Sequence, residues 1–90
     1  MTRSEKIKCN NIEYRKGFIE VMTNVHEGFV NIEAWNIHPA YDLSKVDEFG
    51  VDFLDDNVTG NVEIEMNVLE VESLIAALNE AVSVMKAENA

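Results

Sequence analysis

Residues 62–86 read VEIEMNVLEVESLIAALNEAVSVMK, and the change of period inside this stretch decides the fold. Val62, Ile64 and Met66 alternate with Glu63, Glu65 and Asn67, the period of a half-buried strand. From Val71 onward the spacing lengthens: Val71, Leu74, Ile75, Leu78, Val82 and Met85 recur at helical intervals and form one apolar stripe. Asn67 followed by Glu70 is a capping box, in which each side chain satisfies a backbone N–H at the helix start. Met66 before the cap and Val71 four places after it fit a hydrophobic staple. Burial of each stripe residue is worth roughly 1.5–3 kcal/mol before conformational entropy is counted. The stripe therefore needs a surface to cover, and the strands upstream are the available one.

Working back toward the start, two more strands are legible. In residues 18–25, Ile19, Val21, Thr23 and Val25 share one side, with Phe18, Glu20, Met22 and Asn24 on the other. His26-Glu27-Gly28 supplies a turn, and residues 29–37 return with Val30, Ile32 and Ala34 opposite Phe29, Asn31, Glu33 and Trp35. The Val/Ile face is the one expected to meet the helix. Residues 6–16 predict a small hairpin of their own, with Ile7 and Cys9 alternating with lysines, a turn at Asn10-Asn11, and Ile12 and Tyr14 resuming the alternation. Gly17 allows a bend.

Pro39 takes the chain out of the sheet, because proline cannot donate to a ladder and restricts the residue before it. Residues 42–49 fit one or two helical turns, with Asp42 as cap and Leu43, Val46 and Phe49 inward, or an extended loop. Val51 and Phe53 suggest one more brief strand, and Asp55-Asp56-Asn57 and Gly60-Asn61 are turn chemistry. The expected fold is α+β: one domain over 1–90, an antiparallel sheet of four to five strands with the C-terminal amphipathic helix packed on one face.

Charge narrows the function. Lys and Arg number 7 against 17 Asp and Glu, a net charge of −10. The first sixteen residues run against this, with Arg3, Lys6, Lys8, Arg15 and Lys16 against two acids; ten acids and only Lys45 lie between Asp42 and Glu72. Direct binding to nucleic acid is disfavoured, since phosphates would be repelled, whereas basic protein surfaces would be attracted. No apolar run reaches the ~18 residues of a membrane span, and the start lacks a signal-peptide segment, so the expected location is the cytoplasm and no membrane partner is expected. The single cysteine, Cys9, fits a reducing compartment.

No pattern of catalytic residues stands out. Cys9 would need a low pKa and a nearby base, and its alternation with Ile7 makes it an inward-facing strand residue. His26 and His38 match no zinc-ligand spacing with Cys9. A calcium loop counted from Asp55 puts Asn57, Thr59 and Gly60 in place, but Met66 stands where a bidentate Glu is required, and turn formation explains these residues better. We expect no enzyme, no cofactor and no metal.

Two surfaces remain. Glu63 and Glu65 project from one strand face about 7 Å apart, and with Asp52, Asp55 and Asp56 form a row of carboxylates able to imitate a phosphate backbone. Trp35, sharing its face with Glu33 and Asn31 and extended by Phe18, Met22 and Phe29, offers an aromatic anchor for a partner. The structural alternative is a homodimer built on that aromatic face. In size, acidity and plan the chain resembles the short accessory proteins of bacteriophages and mobile elements, among them anti-CRISPR proteins, DNA mimics and other inhibitors of host machinery. That resemblance implies stoichiometric blocking of a basic, nucleic-acid-binding surface of a partner protein, without turnover.

Overall fold

The computed structural model describes residues 3–45 and 57–89. Strands β1 (Arg3–Cys9), β2 (Lys16–Thr23), β3 (Val30–Ile37) and β4 (Val58–Met66) form one antiparallel sheet in sequence order, with a single C-terminal helix, α1 (Val68–Glu88), packed against it. The α+β reading of the sequence is met by these elements. The fifth strand expected at Val51 and Phe53, and the second half of the 42–49 segment, lie outside the described residues.

The β4–α1 junction follows the sequence pattern atom by atom. Asn67 Oδ1 accepts the Glu70 amide at 2.9 Å, and Glu70 Oε1 accepts the Asn67 amide at 2.9 Å. The link between strand and helix is that one residue. The helix meets the sheet chiefly at β4. Val71 and Leu74, in its first two turns, are half-buried, while Ile75, Leu78 (56% exposed), Val82 and Met85 are open.

The hairpin expected within residues 6–16 forms differently. Ile12 and Tyr14 do not continue a strand; residues 10–15 are the connection, with Arg15 N donating to Ile12 O at 3.1 Å. β1 pairs instead with β2, from Arg3 opposite Thr23 to Cys9 opposite Gly17. The cause is Asn10, whose side chain binds outward: its Nδ2 donates to Asp42 Oδ1 (2.9 Å) and its Oδ1 accepts the Leu43 amide (3.3 Å). That fixes the turn to a distant segment rather than to its own neighbours. Gly17 is not a bend but a strand residue at a close approach, where a Cβ would lie 1.8 Å from the Trp35 carbonyl oxygen. Gly60 and Asn61, read as a turn, continue β4, which begins at Val58 and absorbs a bulge opposite Asn36 and Ile37.

The β2–β3 turn needs two left-handed residues, Asn24 (φ 64°) and Gly28 (φ 83°), and both residue types tolerate that region. Beyond β3, Leu43–Lys45 forms a 3-10 turn started by Asp42, whose Oδ1 accepts from Ser44 N (3.0 Å) and Ser44 Oγ (2.7 Å). This turn drops Leu43 onto the sheet. Among the described residues, Phe18, Ile37 and Leu43, all 2% exposed or less, make the core, with Trp35 and Val58 packed around them.

Candidate binding surface

Strand register divides the sheet into two unlike faces. Rows such as Ile7–Ile19–Ala34–Val62 and Glu5–Val21–Ile32–Ile64 lie on one side. The other carries Lys8–Phe18–Trp35–Asn61, Lys6–Glu20–Glu33–Glu63 and Ser4–Met22–Asn31–Glu65. The core sits on this second, more polar side. Phe18 stacks on Trp35 with ring centroids 5.7 Å apart, and Trp35 is half-buried. The aromatic face is thus largely committed to the chain's own interior, Phe18 entirely so.

Beside the aromatic pair runs a line of three carboxylates on adjacent strands. Glu20 is held by Ser4 Oγ (2.6 Å) and Lys6 Nζ (3.7 Å). Glu33, buried, accepts from Asn61 Nδ2 at 2.9 Å. Burial pushes the Glu33 carboxyl above the ordinary glutamate range; the Asn61 amide pulls it back, and repulsion from Glu63 and Glu20, with a hydrogen bond to Glu63, pushes it up again. Glu63 and Glu65 are exposed on the outer strand, and Glu65 is bonded to His26 Nδ1.

Of the expected site residues, Glu63 and Glu65 therefore share one face of β4, and Trp35 stands on that face two strand positions from Glu33. Asp52, Asp55 and Asp56 lie outside the described residues. Glu20, Glu33 and Asn61 were not singled out by sequence, although the register around the residue 24–29 turn aligns Glu20 with Glu33. Two buried groups on the same side of β3, Asn31 Oδ1 and Trp35 Nε1, have no hydrogen-bond partner among the described residues.

Among the described residues, no group of three or more His, Cys, Asp or Glu is placed to hold a metal ion. Thr59, of the calcium-loop reading, instead bonds to Asn36: its Oγ1 accepts from Asn36 Nδ2 at 2.6 Å. His38 Nδ1 accepts the Ala40 amide at 3.1 Å, its ring set edge-on to Tyr41. Cys9, expected inward, is exposed, because it belongs to the outermost strand on the uncovered Val/Ile side. No described helix is long and apolar enough to cross a membrane. Compared with known proteins, the chain matches no family model, no curated protein and no solved structure.

Proposed function

We propose that the chain is a non-enzymatic acidic binding module that occupies a basic, nucleic-acid-binding surface of a partner protein and blocks it one to one, in the manner of phage anti-defence and host-inhibitor proteins. The observation that carries this reading is the outer strand β4, which presents Glu63 and Glu65 on one exposed face of a protein with net charge −10. A carboxylate row on a sheet edge is rigid, so its charges approach a basic groove without first being ordered. Asp52, Asp55 and Asp56, immediately before β4 in the chain, add to the charge, and the exposed part of Trp35 is the apolar contact.

The test is charge reversal. Glu63→Lys with Glu65→Lys should weaken capture of basic nucleic-acid-binding proteins at least tenfold, since charged contacts set both encounter rate and orientation. It should also flatten the dependence of affinity on salt. Duplex DNA added to the captured complex should compete with the unmodified chain. Affinity unchanged by both reversals, or indifferent to competing DNA, overturns the reading.

A further inference from the structure

Beyond its first two turns α1 lacks a sheet to cover, and most of one sheet face lacks a helix. On the Val/Ile side, Ile7, Val62 and Ile64 (58% exposed) are open, Ile19 is less so (37%), and Val21 and Ile32 are half-buried. On α1, Ile75, Leu78, Val82 and Met85 are open, and so are Leu69 and Val84, which lie off the stripe. A helix that is apolar on more than one side belongs in an interior.

Beyond that first contact the chain cannot join these two surfaces by itself. To lie over its own sheet α1 would have to reverse direction after β4, and strand-to-helix reversals take about 2–6 connecting residues. Here there is one, Asn67, and its backbone (φ −80°, ψ 177°) and side chain are both engaged in the capping box. Size bears this out. The chain exposes 6947 Å², against about 5,300 Å² for a folded monomer of its mass. Its radius of gyration is 14.9 Å, against about 12 Å for a compact domain of this length. The excess area, about 1,600 Å² per chain, falls within the ~1,000–2,500 Å² that each partner of an obligate homodimer buries.

We infer that the covering partner is a second copy of this chain, in a two-fold dimer in which each α1 lies across the Val/Ile face of the other sheet. Both halves of the contact are present once per chain, so one symmetric exchange covers both and leaves neither over. The dimensions agree: α1, 21 residues, is about 31 Å long, and strands of eight residues run about 27 Å. A groove beside Gly17 and Gly60, where two strands bring no side chain, continues the apolar face toward Tyr14 on the β1–β2 connection. The acidic face of β4 points the other way and stays free, so the inference stands independently of the function proposed above.

Sedimentation equilibrium on the full chain tests it. The unmodified protein should sediment at twice the monomer mass at micromolar concentration, and Leu78→Glu or Ile64→Glu should each return it to the monomer mass. Because either charge could also unfold the chain, a second variant addresses the joint itself: about four Gly/Ser residues inserted between Met66 and Asn67 restore a normal connection length. That variant should be monomeric with its helical circular dichroism intact, α1 now folding onto its own sheet. A monomeric unmodified chain, or a dimer that persists through both charge substitutions and the insertion, overturns the inference.

Discussion

The two sides of the sheet invert the usual relation between composition and burial. The Val/Ile side, apolar at nearly every position of β2, β3 and β4, is the open one; the side carrying Glu20, Glu33, Asn31 and Asn61 holds the core. What tips the balance is connection, not hydrophobicity. The segment after Pro39 crosses the polar side and sets Leu43 against Phe18 and Ile37, while the helix, joined to β4 by one residue, covers the apolar side only at its first two turns. Burial follows the surfaces the chain can reach.

That contrast can be broken most sharply at Leu43. Leu43→Ala empties a fully buried position of the core and should cost about 3–4 kcal/mol in urea denaturation. Ile64→Ala, on the open side, should cost under about 1 kcal/mol when measured at protein concentrations low enough to keep chains separate. Equal losses would mean that the two sides are not different in kind. Gly17→Ala comes next. Its new methyl meets the Trp35 carbonyl, a backbone atom that cannot move without parting β2 from β3, so a loss of about 2–3 kcal/mol is expected. The smallest effect belongs to Glu33. Its carboxyl pKa is raised in the folded state, so the native form holds its proton more tightly than the unfolded chain; this contribution is complete at low pH and is lost as pH rises through the folded-state value. Glu33→Gln removes the charge that burial penalises. It should raise the melting temperature by a few degrees at about pH 7 and leave it unchanged at about pH 3, well below the ordinary glutamate range, where the carboxyl is protonated in the folded and the unfolded chain alike. A variant less stable at neutral pH would show that the carboxylate is better solvated than its burial implies.

Much of this architecture is legible in the chain because its signals are local. The strand period of Val62 to Met66, the Asn67–Glu70 cap and the helical spacing beyond need no knowledge of the rest of the molecule. The β2–β3 pair is legible for the same reason: alternation on both sides of a turn at His26-Glu27-Gly28. Where reading fails, the deciding contact is distant. Asn10 looks like a hairpin turn until Asp42 and Leu43 are seen to bind it. Gly60 and Asn61 look like a turn until β3 pairs with them. The candidate surface shows the same divide. That Glu63 and Glu65 share a face follows from a period of two, but the alignment of Glu20, Glu33 and Glu63 depends on register across three strands, and the commitment of Phe18 and Trp35 to the core depends on Leu43 arriving from elsewhere.

The outermost strand carries a consequence of its own. β1 is exposed along its whole length, and among the described residues no further strand pairs with its far edge, which leaves that edge open to an extended peptide. Lys6 and Lys8 stand on one face of that edge strand and Arg3 on the other, so a like strand arriving there would crowd cation against cation. The same residues that make the start of this acidic chain basic therefore disfavour edge-to-edge pairing of one sheet with another.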